Sequence, residues 1–187
     1  MERQAALFDR IDTVELRWCI SLNRFSTYRG LTPLFRAVSR LGDGMLWYWV
    51  LGMQGVFHGR EGVWTAFLIL ASGGVCSLIY KALKNTLVRE RPCTVHREVR
   101  ARVKTLDRYS FPSGHTMNAF NFCILLALFF PPLCIPVVGF TLLVALSRVV
   151  LGVHYPTDVL IGALLGSLNA AMSVGIIERL IPVMTAG

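Results

Sequence analysis

The segment from Thr116 to Leu146 reads TMNAFNFCILLALFFPPLCIPVVGFTLLVAL and contains no charged side chain. Prolines at positions 131, 132 and 136 divide it near its middle. Each half is long enough for about four helical turns, because an α-helix rises about 1.5 Å per residue. The segment therefore predicts a hydrophobic helical hairpin whose two ends lie on the same side of the molecule.

Polar sequence flanks both ends of this hairpin. Phe-Pro-Ser-Gly-His occupies positions 111–115, and Ser-Arg-Val-Val-Leu-Gly-Val-His-Tyr-Pro-Thr-Asp occupies positions 147–158. Because the hairpin returns to its starting side, these two stretches are expected to meet at one end of an apolar bundle. The residues brought together would be His115, Arg148, His154 and Asp158.

The composition favours a membrane protein. The chain has 187 residues, of which 54% are hydrophobic and only 16% are charged, whereas soluble domains carry about 25% charged residues. The net charge is +8, and residues 84–108 contain eight basic and three acidic side chains. In a membrane protein such a basic block favours lipid headgroups or an anionic substrate over nucleic acid. The five cysteines show no paired spacing, which argues against a disulfide or zinc framework.

The N-terminal region, residues 1–43, predicts amphipathic helices. Residues 9–23 place apolar side chains at helical spacing but carry too many charges to span a membrane alone. Thr32 and Pro33 predict an N-cap and the first position of a second helix, which ends at the Gly-Asp-Gly sequence 42–44. Both helices are interpreted as interfacial or packed at the bundle edge, with a soluble cap as the alternative.

Residues 44–187 predict a single membrane-embedded core. Its apolar stretches are residues 45–58, residues 63–80 with a helical extension past Lys84, the two halves of the hairpin, and residues 159–177, for which Thr157 is the predicted cap. The predicted fold class is thus all-α: an integral membrane helical bundle of about five to six transmembrane helices preceded by N-terminal amphipathic helices. Tracing the crossings places the basic loop 85–110 and both polar ends of the hairpin on one face.

The cations and the helix start on that face predict phosphate binding. Lys84 offers a point charge, whereas the guanidinium groups of Arg91 and Arg148 can hold two phosphate oxygens at once. A helix that begins at Ser113 and Gly114 presents free backbone N–H groups to an anion. These five residues are the predicted phosphate-binding set.

Two histidines can divide the chemistry of phosphoryl transfer. His154 is assigned as the nucleophile because Asp158 follows it by four residues and can orient its ring. His115 has no comparable acid nearby in sequence and is assigned as the general acid. Neither a metal nor a cofactor is predicted.

The complete pattern resembles the three-part signature of the type 2 phosphatidic acid phosphatase superfamily. Its parts are Lys84-x6-Arg91-Pro92, Pro112-Ser113-Gly114-His115 and Ser147-Arg148-x5-His154-x3-Asp158. That superfamily shares its site architecture with vanadium-dependent haloperoxidases. The resemblance implies an α-helical bundle, usually of six helices, and metal-independent hydrolysis of a lipid phosphate or diphosphate through a phosphohistidine.

The small size resembles bacterial members that act on undecaprenyl diphosphate, phosphatidylglycerol phosphate or lipid A. The implied partners are a lipid phosphate substrate and the bilayer of the bacterial cytoplasmic membrane. Counting positive charges puts the basic face in the cytoplasm, whereas the resemblance puts it on the periplasmic side, which is the orientation expected here. The alternatives are a lipid-to-lipid phosphotransferase with undecaprenyl diphosphate as donor, a vanadate-dependent haloperoxidase, and a non-enzymatic lipid-binding protein.

Overall fold

Seven α-helices make up the fold in the computed structural model, which describes residues 2–105 and 107–186, with side chains from residue 11 onward. No strand occurs within those ranges. The helices are α1 (Glu2–Arg24), α2 (Leu31–Arg40), α3 (Leu46–Thr86), α4 (Pro92–Val95), α5 (Gly114–Phe129), α6 (Cys134–Val150) and α7 (Pro156–Thr185). The prediction of an all-α membrane bundle is confirmed.

Three helical segments among the described residues are long and apolar enough to cross a membrane. They are Leu31–Thr86, Pro131–Val150 and Pro156–Thr185, and Gly114–Phe129 is a shorter apolar helix. The first segment is interrupted at Asp43 and Gly44, and again at Gly59, where the backbone angles are not helical.

The interruption at Gly59 reverses the chain between the predicted apolar stretches 45–58 and 63–80. Gly59 has a φ of +58°, a value that glycine adopts without steric cost. The two arms that it separates lie side by side, since a Cβ on Gly62 would stand 2.2 Å from the carbonyl oxygen of Gln54. Residues 46–58 and 60–86 therefore correspond to the first two of the five predicted apolar stretches.

The predicted hairpin is formed by α5 and α6. The break between them lies at the 3₁₀ turn Pro131–Leu133, while Pro136 lies inside the first turn of α6. Helix α5 also packs very closely on α7: a Cβ on Gly166 would stand 2.1 Å from the carbonyl oxygen of Met117. This close approach brings the starts of α5 and α7 together.

Buried apolar and polar side chains join the helices. Trp47, Leu51, Leu125 and Leu126 are fully buried in the main apolar cluster. A polar group lies within the bundle as well, where hydrogen bonds between helices satisfy side chains that lipid cannot. Its members on α3, α5 and α7 are joined at 2.8–3.0 Å: Ser72, Asn121, Asn169 and Ser173.

Several predicted helix boundaries are wrong by a few residues. Helix α1 extends back to Glu2, and α2 begins at Leu31, so that Thr32 lies within its first turn instead of capping it. Tyr155, rather than Thr157, is the N-cap of α7. The last helix also continues past the end of the predicted apolar stretch at residue 177 and ends at Thr185. These shifts do not move the functional residues to another face.

Candidate active site

A cavity of about 870 Å³ opens at the end of the bundle where the two polar stretches meet. Six of the eight predicted site residues line it: Lys84, Arg91, Gly114, His115, Arg148 and His154. Ser113 and Asp158 are fully buried behind it. The Ser113 hydroxyl lies 3.0 Å from the Thr116 hydroxyl, and the Ser113 backbone N–H donates to the Asp158 carbonyl at 3.0 Å.

His154 lies in the short turn between α6 and α7. Gly152 has a φ of +76°, and a Cβ there would stand 2.8 Å from the Arg100 carbonyl oxygen. The turn therefore requires glycine, and it leaves His154 only 2% exposed. The His154 ring has Nδ1 3.5 Å from Asp158 Oδ2 and Nε2 3.4 Å from Arg91 Nη1.

The surroundings of His154 favour its neutral form. Burial lowers the pKa of His154, and the positive charges of Arg148, Arg91 and Lys84 lower it further. A neutral imidazole with its proton on Nδ1, toward Asp158, leaves the Nε2 lone pair directed to the cation side. This is the protonation state that a nitrogen nucleophile requires.

His115 lies in the first turn of α5, and it does have an acidic neighbour. Its Nε2 lies 3.2 Å from Asp43 Oδ1, a carboxylate contributed by the break between α2 and α3. The sequence near His115 contains no comparable acid, and this partner comes instead from a segment 72 residues earlier in the chain. Asp43 stands between Gly42 and Gly44, and in the sequence this pattern indicates only the end of a helix.

Protein contacts orient each of the three predicted cations. Lys84 Nζ pairs with Asp107 Oδ2 at 2.9 Å. Arg91 donates to the Asp107 carbonyl at 3.0 Å and to the Val153 carbonyl at 2.7 Å. Arg148 donates to the Ser39 hydroxyl, and its Nε is buried without a hydrogen-bond partner. These contacts fix the three cations at the cavity wall.

Five further basic residues line the same cavity: Arg36, Arg40, Lys81, Arg102 and Lys104. Arg102 and Lys104 belong to the basic block 84–108 but were not among the predicted site residues. Arg36 Nε donates to the Arg102 carbonyl at 2.6 Å, and this contact joins α2 to the basic loop. The cavity wall is therefore strongly positive well beyond the predicted set.

Arg89 contacts a predicted site residue, Asp158, although the sequence analysis did not single it out. It was counted with the basic loop, yet it is 2% exposed and pairs with Asp12, Glu15 and Asp158. Burial opposes its charged form, but these three carboxylates outweigh burial and raise the pKa of Arg89. No local sequence signal distinguishes Arg89 from its basic neighbours, because its partners are far away in the chain.

The described residues contain no group of three or more His, Cys, Asp or Glu side chains that could hold a metal ion.

The chain matches the PAP2 superfamily over residues 62–181. It belongs to the PAP2 superfamily. The match contains the three motifs and all eight predicted site residues, whereas α1, α2 and Asp43 lie outside it.

Named PAP2 relatives and one solved structure resemble the chain over most of its length. It is 30% identical over 150 residues to decaprenylphosphoryl-5-phosphoribose phosphatase of Mycobacterium tuberculosis, covering 76% of this chain and 78% of the relative. It is 30% identical to undecaprenyl-diphosphatase of Sulfolobus acidocaldarius, covering 87% of this chain and 77% of the relative.

The solved structure is that of a transmembrane PAP2-type phosphatidylglycerolphosphate phosphatase from Bacillus subtilis. It superposes with a TM-score of 0.69 at 25% identity, covering 96% of this chain and 98% of that chain. Together with the apolar helices, this likeness identifies the PAP2 chain as a multi-pass membrane protein.

Proposed function

We propose that this chain is a membrane phosphatase that hydrolyses a lipid phosphate or diphosphate through a covalent phosphohistidine at His154. The observation that carries the proposal is the presence of His154, His115 and three oriented cations around one cavity. The named relatives, all phosphatases, support the same reaction class. None of the proposed steps requires a metal ion.

In the first half-reaction, neutral His154 attacks phosphorus through Nε2. An N–P bond forms while the P–O bond to the lipid breaks, and Lys84, Arg91 and Arg148 stabilise the charge on the phosphoryl oxygens. The Nδ1 proton remains on the ring and faces Asp158 at 3.5 Å, so the carboxylate stabilises the cationic imidazole. His115 delivers a proton to the departing oxygen.

In the second half-reaction, water attacks the phosphohistidine. His115, now neutral, accepts a proton from that water, and the N–P bond breaks to return neutral His154 and inorganic phosphate. His115 lies in the cavity with 22% of its side chain exposed, which allows it to reach both the leaving oxygen and the incoming water. The same residue is thus acid in one step and base in the next.

The charge of the cavity supports a substrate with more than one phosphate group. Among the described lining residues, eight carry positive charge and two, Asp43 and Asp107, carry negative charge. A single phosphate monoester carries about −1.5 to −2 at neutral pH, which leaves most of this positive charge unmatched. A diphosphate, or a phosphomonoester beside a phosphodiester, would match it better.

The proposed location is the bacterial cytoplasmic membrane with the cavity on the periplasmic face. The cavity cations have a substrate-binding reason to be there, so they are poor indicators of the cytoplasmic side. Labelling of a Lys104→Cys variant in intact cells by a membrane-impermeant maleimide, compared with unmodified protein, tests this orientation. Labelling only after the membrane is broken would place the cavity inside.

The experiment that tests the function is phosphate release by detergent-purified protein in the presence of a chelator. Substrates would be undecaprenyl diphosphate, undecaprenyl phosphate, phosphatidylglycerol phosphate, phosphatidic acid and lipid A. We expect release that survives the chelator, is faster from lipids with two phosphate groups, and is lost in His154→Ala by at least about 10⁴-fold.

A matched histidine variant serves as the control. His58→Ala removes an exposed histidine that packs on the Phe130 ring and does not line the cavity, and it should keep full activity. Activity of His154→Ala equal to that of the unmodified protein would overturn the mechanism. Release that appears only when an acceptor lipid is added would replace hydrolysis by phosphotransfer.

A further inference from the structure

The side of Asp158 that faces away from His154 is held by Arg89. Arg89 Nη1 donates to Asp158 Oδ1 at 2.5 Å and to the Thr157 hydroxyl at 2.8 Å. Its Nε and Nη2 donate to Asp12 Oδ1, and Nη2 also donates to Glu15 Oε2 at 2.6 Å. Since a guanidinium has five N–H donors, these contacts engage every donor and leave none for a substrate.

Helix α1 also contacts the start of α7 through hydrogen bonds to Glu15. Glu15 Oε1 accepts from the Thr157 backbone N–H at 2.6 Å, and Oε2 accepts from the Thr157 hydroxyl at 2.7 Å. The first N–H groups of a helix have no partner within the helix. Glu15 therefore caps α7 from a separate element, one residue before Asp158.

The same contacts determine where Asp158 can sit. Asp158 is fully buried, and its Oδ2 accepts from the Tyr155 backbone N–H at 2.8 Å while lying 3.5 Å from His154 Nδ1. The Arg89 guanidinium also covers the Tyr155 ring at 4.0 Å from its centre. A shift of Arg89 would thus be transmitted both to the carboxylate and to the turn that carries His154.

This group lies partly outside the region matched by the PAP2 superfamily. Asp12 and Glu15 precede residue 62, where the match begins, and their helix was expected only to lie at the interface or the bundle edge. Burying charges is costly unless each is paired. Two buried or nearly buried acids on α1 therefore indicate a specific partner, which is Arg89, and not a membrane surface.

We propose that α1 is part of the catalytic assembly: Asp12 and Glu15 fix Arg89, and Arg89 is a positioning residue that holds Asp158 in register with His154. The proposal rests on the proposed role of His154 as nucleophile. It assigns the N-terminal helix the task of aligning the nucleophile, so that the matched region alone lacks part of the site.

Three conservative variants test the proposal in the full chain: Arg89→Lys, Asp12→Asn and Glu15→Gln. The readouts are kcat, KM and the inhibition constant of orthovanadate, which mimics the five-coordinate phosphorus of the transition state. Misalignment of a reacting group by about 1 Å can cost about 100-fold. We expect kcat to fall about 100-fold in Arg89→Lys and about tenfold in the other two, with KM nearly unchanged and orthovanadate binding weakened in parallel.

These readouts separate alignment from folding, because KM and the inhibition constant do not depend on how much of the protein is folded. If the variants lose yield or melting temperature but keep the unmodified orthovanadate constant, the group is structural only and the proposal is overturned. Glu178→Gln is the matched control, since Glu178 is an exposed acid on α7 away from the group, and it should leave all three constants unchanged.

The test also distinguishes failure of this proposal from failure of the proposed function. Unmodified kcat and orthovanadate inhibition in all three variants, beside an inactive His154→Ala, would reject the role of α1 and keep the phosphohistidine. An active His154→Ala would reject the phosphohistidine itself and, with it, the positioning role of Arg89.

Discussion

The two histidines of the cavity differ in how far they and their carboxylate partners are buried. His154 has 2% of its side chain exposed, and the Asp158 carboxylate beside it is fully buried. His115 has 22% of its side chain exposed, and the Asp43 carboxylate beside it is 55% exposed. Each ring faces one carboxylate, but only the pair around His154 is enclosed by protein.

This difference matches two different chemical tasks. A nucleophile benefits from a rigid, dry position, because water would solvate its lone pair and compete for phosphorus. A general acid must be reprotonated in each turnover and therefore needs contact with solvent. The comparison thus supports His154 as nucleophile on grounds independent of the sequence spacing to Asp158.

The largest loss of activity that tests the different roles of the two histidines is expected for His115→Ala. General acids contribute about 100-fold to 10,000-fold, and the loss should be of this size for a lipid phosphate, whose alkoxide leaves poorly. A nitrophenyl phosphate, whose leaving group needs no proton, should lose far less. The measurement is kcat/KM for both substrates. Equal losses on the two substrates would contradict the assignment of His115 as the acid.

A smaller effect is expected when α5, which carries His115, is pushed away from α7, which carries Asp158. In Gly166→Ala the new Cβ would overlap the Met117 carbonyl, so α5 must move away from α7. Overpacking of this kind costs about 1–3 kcal/mol of stability. The melting temperature in detergent should fall, and activity should fall with it.

Gly175→Ala on the same helix provides the control, because nothing lies within 4 Å of a Cβ at Gly175. It should melt at the unmodified temperature or slightly above, since alanine favours helix over glycine. If both variants melt alike, the close contact between α5 and α7 does not stabilise the fold.

The variant Asp43→Asn tests the role of the exposed Asp43 carboxylate beside His115. If Asp43 supports His115 as an acid, activity on a lipid phosphate should fall about tenfold, while activity on a nitrophenyl phosphate should change little. Asp107→Asn, which removes the partner of Lys84, should instead affect both substrates alike. A uniform loss in Asp43→Asn would indicate that the carboxylate only shapes the cavity.

The smallest effect is the contribution of buried His154 to the pH dependence of stability. The pKa of His154 is lower in the folded protein than the usual value of about 6.5, so the unfolded chain binds more protons below that pH. Its contribution to stability is therefore present above pH 6.5 and is lost as the pH falls, by about 1.4 kcal/mol per pH unit.

Melting temperatures of the unmodified protein and His154→Gln at pH 7.5 and 5.5 measure this contribution. The unmodified protein should lose more on acidification, by about 2–4 °C for each kcal/mol. Parallel decreases in the two proteins would mean that His154 is not held neutral.

The hairpin and the motif were predictable because their signals are local. A charge-free run broken by prolines indicates α5 and α6, and Lys84, Arg91, His115, Arg148 and His154 follow from spacing along the chain. Helix boundaries were less accurate, as at Thr32 and Thr157, because a capping residue competes with nearby alternatives of similar strength.

The long-range contacts of Arg89 and Asp43 were not predictable from local signals. Arg89 lies 77 residues from Asp12 and 69 from Asp158, and Asp43 meets His115 only through the break between α2 and α3. In the sequence, Asp12 and Glu15 are ordinary polar positions of an amphipathic helix, and Arg89 is one of several basic loop residues.

The sequence by itself determined that the chain is a helical membrane protein with a predicted phosphate-binding motif. Both signals, hydropathy and motif spacing, depend on residues that are close together in the chain. Only the tertiary structure decided which carboxylate serves which cation or histidine. The physical reason is that a buried charge accepts whichever opposite charge the packing of distant helices brings within about 3 Å, and that distance depends on the whole bundle.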